Sequence, residues 1–327
     1  MRPYLSLTTL AKKMERAGKN SEAVSLKPDY RIAVWIVPVI YWLALYTFTG
    51  SIEKDHLVYG GTILLLYHLG SYGPRILGFL LPFVLTGMIY DSQRFWAHMV
   101  RPIPHIADLY YLEKQLFGIR TEQGVLTPNE WFGHHLHPFF DFITGLAYLT
   151  FVGVFMLTAL YLSYRLYKEA GEKWPADRRK ALMSALPWSF LIVNLMGYTT
   201  WLLFPAAPPW YVELYGLDTV LEQVPVDPAR TVRFDALLGT GFFTDLYGYE
   251  SNAYGALPSL HISYPTISFF YAFRIGSARI FSAVFLVLMC FSAVYLNHHY
   301  VIDVILGALY GVIAAILTPY LIKKWAK

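Results

Sequence analysis

The stretch YVIDVILGALYGVIAAILTPYLI, residues 300–322, decides the fold class of this chain. Its only charged residue is Asp303, and the other side chains are almost all apolar. A run of about 20 apolar residues is long enough to cross a bilayer as a helix. The stretch therefore predicts a transmembrane helix, and it leaves an aspartate near the start of that helix to be explained.

Seven further apolar segments extend the same pattern, so we predict an all-α polytopic membrane protein with about eight transmembrane helices. The predicted spans are 32–50, 56–72, 74–92, 138–164, 181–205, 258–274, 280–298 and 300–322. Only 15% of the residues are charged, whereas soluble domains have about 25%. The turn signal at residues 71–74 predicts a hairpin between the second and third spans.

The Lys and Arg residues predict that both termini are cytoplasmic. With that orientation, only seven of the 26 basic residues lie outside, as the positive-inside rule requires. Residues 1–31 then form a basic amphipathic cytoplasmic segment, and residues 32–327 a single transmembrane domain with large outer loops at 93–137 and 206–257. The first thirty residues have no apolar core, so we expect no cleavable signal peptide. They also lack a series of aromatic residues for stacking, so we expect no nucleic-acid partner.

The histidines gather on the outer side, where nine of the ten fall on that face or at span ends that open onto it. In NHHYVIDVILG, His299 and Asp303 are four residues apart and share a helix face. Ionisable residues at membrane depth are costly and usually functional. A carboxylate one turn away suits an imidazole that acts as nucleophile or base. The alternative is a pair that only caps the helix, and His298 is interpreted as a neighbour.

The stretch GALPSLHISYP places a second histidine at a helix start. Pro258 and Ser259 are ordinary helix-start residues, but they do not explain His261. Free N–H groups at such a start bind anions, and His261 is suited to protonate a leaving group. Outside the third span, the guanidinium groups of Arg94 and Arg101 can each donate two hydrogen bonds to phosphate oxygens. The alternative is that these arginines only reach toward lipid headgroups.

Together these residues resemble the three motifs of the type 2 phosphatidic-acid phosphatase superfamily: Lys-x6-Arg-Pro, Pro-Ser-Gly-His and Ser-Arg-x5-His-x3-Asp. The matching stretches are Arg94-x6-Arg101-Pro102, Pro258-Ser259-Leu260-His261 and Ser292-Ala293-x5-His299-x3-Asp303. Leu260 replaces the family's Gly, Ala293 replaces its Arg, and the histidine is doubled. These departures, with YDSQR, LYYLEKQLFG, FPAAPPWY and RFDALLG, are similar to the inositol phosphorylceramide synthase branch, over roughly residues 85–315.

The resemblance implies a six-helix core with extra helices and a reaction in two displacements. In that reaction His299 attacks phosphorus and is oriented by Asp303. His261 protonates the departing alkoxide and then deprotonates the acceptor. A phosphohistidine-type intermediate links the two steps.

The resemblance also implies how the phosphate is held. Ser259, Arg94 and Arg101 would bind its oxygens, and Arg233 and His298 are further candidates because the third-motif Arg is missing. The family needs no metal and no other cofactor.

The implied substrates are a phosphatidylinositol-like donor and a ceramide-like acceptor, with diacylglycerol as a product. The site would face the periplasm in a bacterial inner membrane, or the Golgi lumen in a eukaryote, and a homo-oligomer is left open. One alternative is a lipid phosphatase that uses water as acceptor. Another is a transporter with a His/Asp proton relay, which the single-sided polar residues and the lack of a repeat disfavour.

A further alternative for the outer histidines is a metal site. The candidates are His98, His105, His134, His135 and His137. They lack paired acidic ligands, so the preferred interpretation is an interfacial loop of aromatic and histidine residues, and the role of the 134–137 cluster stays open. Asp91 and Asp141 are polar enough to line the same cavity. The single cysteine, Cys290, lies in an apolar run and excludes an intramolecular disulfide.

Overall fold

The structure, a computed structural model, describes residues 28–50, 54–100, 102–122, 124–168, 174–221, 224–248 and 252–325. Most of the predicted cytoplasmic segment 1–31 and the candidate phosphate ligand Arg101 therefore lie outside the described residues. The chain divides after Gly78 into two compact units. The sequence predicted one domain over residues 32–327, so this division is a finding of the structure.

The first unit consists of α1 (Pro28–Thr49), α2 (Lys54–His68), a 3-10 turn (Gly70–Tyr72) and the start of α3 (Gly73–Val100). Helices α1 and α2 pack together. The indole N–H of Trp42 in α1 donates a hydrogen bond to the His56 carbonyl in α2, at 2.7 Å. The 3-10 turn lies where the sequence predicted a turn.

The second unit begins with the rest of α3 and contains ten further helices and two strands among the described residues. They are α4 (Ala107–Phe117), β1 (Ile119–Thr121), β2 (Gly124–Leu126), α5 (Pro128–Gly133), α6 (Pro138–Lys168), α7 (Ala176–Leu203), α8 (Pro209–Tyr215), α9 (Val232–Leu238), α10 (Phe242–Gly248), α11 (Leu260–Ile275), α12 (Arg279–Tyr295) and α13 (Val301–Trp325). The fold is therefore mostly helical, as predicted. The antiparallel β1–β2 hairpin is a small exception to the predicted all-α class.

Helix α11 is at the centre of the second unit, where it packs against α6, α7, α12 and α13. Its side chains Ile262, Ile267 and Tyr271 are completely buried. With 16 residues at a rise of 1.5 Å each, α11 is about 24 Å long, which is less than the about 30 Å of a bilayer's hydrocarbon core. The start of α11 is buried, since Ser259, Leu260 and Ile262 have little or no exposed surface.

The described residues contain four helical segments long and apolar enough to cross a membrane. They are Gly73–Gln93, Pro138–Lys168, Ala176–Leu203 and Val301–Lys324. Helix α12 is shorter but apolar on both sides, since Ile280, Val284 and Val287 are exposed while Met289 and Ala293 are buried. Helices that are hydrophobic all round lie in a membrane or a large core. The chain is an integral membrane protein, whereas eight spans and cytoplasmic termini stay predictions.

Two segments that the sequence predicted as outer loops contain helices and strand-like bridges. Helix α3 continues to Val100, beyond the predicted span end at residue 92. Parallel bridges join His105 to Ala206 and Ala206 to Gly255. These bridges tie the two predicted outer loops to each other directly beside the start of α11.

Helix α13 approaches the start of α11 closely at Gly307, where an added Cβ would overlap the Ser259 carbonyl oxygen. We expect Gly307→Val to destabilise the protein by about 1–3 kcal/mol, because backbone atoms have to move apart. Thermal unfolding in detergent measures this as a lower Tm. The matched control is Gly153→Val, since Gly153 in α6 has no heavy atom within 4 Å of its Cβ position. Equal losses of Tm in the two variants would contradict the close approach.

Candidate active site

A cavity of about 330 Å³ lies at the start of α11, next to the residues that precede α13 and to the predicted outer loop 206–257. Three histidines contribute to its wall: His261, His298 and His299. The wall is otherwise mainly aromatic, and includes Tyr90, Tyr148, Phe151, Tyr198, Trp201, Trp210, Phe243, Tyr247 and Tyr264. The structure therefore brings together the histidines of the second and third sequence motifs inside an aromatic chamber.

Two of these histidines are neighbours in the cavity wall, and a ring nitrogen of one faces a ring nitrogen of the other. Nδ1 of His261 lies 3.1 Å from Nε2 of His299, although the residues are 38 positions apart. Nδ1 of His299 lies 2.9 Å from the Ala256 carbonyl oxygen. A carbonyl only accepts hydrogen bonds, so in the neutral imidazole of His299 the proton is on Nδ1 and Nε2 has the lone pair. The lone pair therefore points toward His261 and the cavity.

Asp303 lies beside the same imidazole but does not make its shortest hydrogen bond. The carboxylate is completely buried, and Oδ2 lies 3.6 Å from Nδ1 of His299. The Tyr300 N–H donates to Oδ2 at 2.8 Å. The sequence placed His299 and Asp303 on one helix face, whereas in the structure His299 precedes α13 and Asp303 is in its first turn. The sequence predicted that Asp303 alone orients His299, whereas the shortest contact of Nδ1 is with the Ala256 carbonyl.

A column of four stacked rings forms one side of the cavity. The ring of Tyr148 lies 4.4 Å from that of His261 and 5.3 Å from that of His298. Tyr247 stacks on the other face of His298, at 5.0 Å. His298 is thus a neighbour of the paired histidines, as the sequence suggested. The stack fixes the planes of both imidazoles, because each is held by an aromatic face.

Asn129 and Glu213, in the two predicted outer loops, hold the segment 294–299 by hydrogen bonds. The side-chain amide of Asn129 donates to the carbonyls of Val294 and His299, each at 3.0 Å. Asn297 has a left-handed backbone, with φ 66°, and its side chain donates to Glu213. Sequence reasoning missed Asn129 and Glu213, because both act across more than 80 residues of chain.

The structure does not bring all predicted phosphate ligands to the cavity. Ser259 is completely buried, and its hydroxyl has no hydrogen-bond partner among the described residues. Arg233 pairs with the buried Asp141 at 2.8 Å instead of lining the cavity, and this hydrogen-bonded pair raises the pKa of the guanidinium. The side chain of Arg94 and all of Arg101 lie outside the described part of the chain. Among the described residues, the wall of the cavity contains no Lys or Arg.

Three other histidines of the predicted outer loops have separate contacts, whereas the side chain of His98 lies outside the described part of the chain. His135 stacks on Trp131 at 4.0 Å, and the ring of His137 accepts the Phe139 N–H at the start of α6. His105 stacks on Phe204 and pairs with Asp108. Within the described ranges, no group of three or more His, Cys, Asp or Glu residues is arranged to hold a metal ion.

Comparison with known proteins assigns the family. Residues 122–317 match the PAP2 superfamily, a range that contains all three cavity histidines. The phosphoinositol dihydroceramide synthase of Bacteroides thetaiotaomicron is 35% identical over 83% of this chain and 86% of its own length. The chain belongs to the PAP2 superfamily.

Within the PAP2 superfamily, two fungal proteins identify the branch. The inositol phosphorylceramide synthase catalytic subunits of Schizosaccharomyces pombe and Saccharomyces cerevisiae are 31% and 32% identical. These matches cover 41% and 39% of this chain, and 32% of each relative. No solved structure matches the chain. The family and branch predicted from the sequence motifs are confirmed, and the chain is a phosphotransferase of this branch.

Proposed function

We propose that this phosphotransferase moves a phosphoinositol-type headgroup from phosphatidylinositol to a ceramide-like lipid alcohol and releases diacylglycerol. The observation that carries this proposal is the 3.1 Å contact between His261 and His299 inside an aromatic cavity. The relatives' names supply the headgroup and the acceptor class.

In the first step, Nε2 of His299 attacks phosphorus and the bond from phosphorus to the diacylglycerol oxygen breaks. His261 donates its proton to that oxygen, so diacylglycerol leaves as a neutral alcohol. The headgroup phosphate is then bonded to His299. Ala256 and Asp303 support this step, because they favour a proton on Nδ1 and stabilise the charge that develops on the ring.

In the second step, His261 takes the proton of the acceptor hydroxyl, whose oxygen attacks phosphorus. The bond between phosphorus and Nε2 breaks, and His299 returns to its starting state. A phosphorus atom needs about 3–3.5 Å to each reacting group, which is more room than the 3.1 Å contact leaves. One imidazole therefore has to turn aside when the donor enters, and His261 then faces the leaving oxygen.

The phosphate charge needs donors, and two sources support the proposal. The start of α11 presents backbone N–H groups next to His261, and such helix starts favour anions. Arg94 and Arg101 remain our proposed side-chain ligands, from the family's first motif. Arg233 is the weaker candidate, because Asp141 already occupies its guanidinium.

The aromatic wall favours a lipid alcohol over water as the acceptor. Phosphoenzyme intermediates survive to meet a second substrate when the site excludes water. The rings of Phe151, Trp201 and Trp210 leave little polar surface to hold a water beside His299. Hydrolysis of a lipid phosphate is therefore the alternative that the test below has to exclude.

We also propose that eight helices cross the membrane, with both termini cytoplasmic and the cavity on the extracytoplasmic face. Each of the eight predicted spans contains a helix, and the distribution of basic residues supports this orientation.

Purified protein in vesicles, given phosphatidylinositol and a ceramide, is expected to form the inositol phosphorylceramide and diacylglycerol in equal amounts. Omitting the ceramide should stop diacylglycerol release after one equivalent per enzyme, because the headgroup stays on His299. Continued release of inositol phosphate without acceptor, or release of phosphate from phosphatidic acid alone, would show a phosphatase instead. Thin-layer chromatography of labelled lipids measures all of these products.

A further inference from the structure

Helix α4 carries a buried carboxylate that the proposed reaction does not use. One face of the helix is buried and the other is exposed: Leu109 and Tyr110 are buried, whereas Tyr111 and Leu116 are exposed. Glu113 lies on the buried side and has no exposed surface. Glutamate is almost never fully buried without specific partners, so its contacts indicate its purpose.

Both oxygens of Glu113 accept backbone N–H groups from the start of α13. Oε1 accepts from Val301 at 2.9 Å, and Oε2 accepts from Ile302 at 3.2 Å. The first N–H groups of a helix have no partner within the helix. The preceding N–H, of Tyr300, donates to Asp303. Three successive N–H groups beside His299 are therefore held by two carboxylates, one of them 188 residues away in the chain.

We propose that Glu113 is a positioning residue for phosphoryl transfer: it clamps the first turn of α13 so that Asp303 stays beside Nδ1 of His299. The proposal rests on the roles proposed above for His299 and Asp303. Glu113 itself touches neither the cavity wall nor the reacting atoms. Its effect passes through the backbone of Val301 and Ile302, which immediately precede Asp303.

The clamp responds to pH near neutrality. The pKa of Glu113 is raised to about 7. Burial is the main cause and the nearby charge of Asp303 adds to it, whereas the two accepted N–H bonds lower the pKa. Tyr300, on the α13 side, interacts with Glu113, Tyr110 and Glu130. The Tyr110 hydroxyl in turn donates to Glu130 and accepts from Lys114. Above about pH 7, both carboxylate oxygens of Glu113 accept the N–H groups of Val301 and Ile302. As the pH falls through 7, one oxygen becomes a hydroxyl, and the contact with the first turn of α13 weakens.

The kinetic test compares Glu113→Gln with Glu122→Gln in the full-length protein. Glu122 is an exposed glutamate at the β1–β2 turn and serves as the matched control. A misplaced catalytic group costs up to about 100-fold, so we expect Glu113→Gln to lower kcat by about 10- to 100-fold. The KM values for both lipids should not change. The acid limb of the kcat profile near pH 7 should move in Glu113→Gln but not in Glu122→Gln. A wild-type kcat and an unmoved limb in Glu113→Gln would overturn the proposal.

Glu113→Asp is the second variant, because it keeps the charge but shortens the reach. Its kcat should be lower than that of the wild type, and the acid limb of its kcat profile should still follow the titration of the carboxylate. A purely steric role of Glu113 would not produce this pH dependence. A non-titrating Glu113→Asp with full activity would also overturn the clamp.

Hydrogen–deuterium exchange separates a failure of the clamp from a failure of the proposed function. The amides of residues 301 and 302 should exchange faster in Glu113→Gln than in Glu122→Gln, whatever reaction the protein catalyses. Unchanged exchange would overturn the clamp even if transferase activity is found. Faster exchange in a protein without transferase activity would keep the clamp and reject only the proposed substrates.

Discussion

His299→Ala is expected to lower headgroup transfer by about 10⁴-fold or more, because the variant has no atom to form the bond to phosphorus. The variant should also accumulate no phosphoenzyme. Donor carrying ³²P in its headgroup is incubated without acceptor, and the label on the protein is measured after rapid quenching. A phosphorus–nitrogen bond is lost in acid and kept in base, which distinguishes it from a phosphoserine.

The matched control for this prediction is His135→Ala. His135 is exposed, stacks on Trp131 and lies outside the cavity. It should keep wild-type transfer and wild-type labelling. Labelling of the His299→Ala protein at the wild-type level would reject His299 as the nucleophile, even if turnover falls.

His261→Ala is expected to lower transfer from phosphatidylinositol by about 10²- to 10⁴-fold, the usual contribution of a general acid or base. The loss should depend on the leaving group. An inositol phosphodiester of nitrophenol needs no proton for departure, so its first step should survive in His261→Ala. We expect a burst of one nitrophenolate per enzyme close to the wild-type rate, followed by slow turnover, because the acceptor still lacks its base.

Stopped-flow absorbance separates these two phases. His135→Ala again serves as the control and should show both phases at wild-type rates. A burst in His261→Ala that is slowed as much as the reaction with phosphatidylinositol would contradict a proton-donor role. It would point instead to His261 as a group that only holds the phosphate.

The sequence predicted the helical membrane fold and the three residues that carry the proposed reaction. Spacing made His261, His299 and Asp303 candidates, and the resemblance to the superfamily motifs supplied their roles in the reaction. The orientation of His299 was not predictable in the same way. Its nearest acceptor is a backbone carbonyl, at Ala256, 43 residues away, and any residue type supplies a carbonyl.

Glu113 left no readable signal in the sequence. It begins the polar run Glu113-Lys114-Gln115, and apolar residues lie on both faces of the stretch LYYLEKQLF, so the sequence does not show which face is buried. Asn129 left none, because an asparagine near a helix start is common. The pairing of Arg233 with Asp141 was not predictable either, because the two residues are 92 positions apart in the chain.

The left-handed turn at Asn297 restricts how this chain can evolve. Most residues take that conformation at a cost of about 1–2 kcal/mol, whereas glycine, asparagine and aspartate are tolerated. Glycine would lose the bond to Glu213, and aspartate would place a second carboxylate against it. Asparagine alone meets both conditions, so any single substitution here disturbs either the left-handed backbone or the hydrogen bond to Glu213. Because Asn297 directly precedes His298 and His299, such a disturbance falls on the backbone that leads into both cavity histidines.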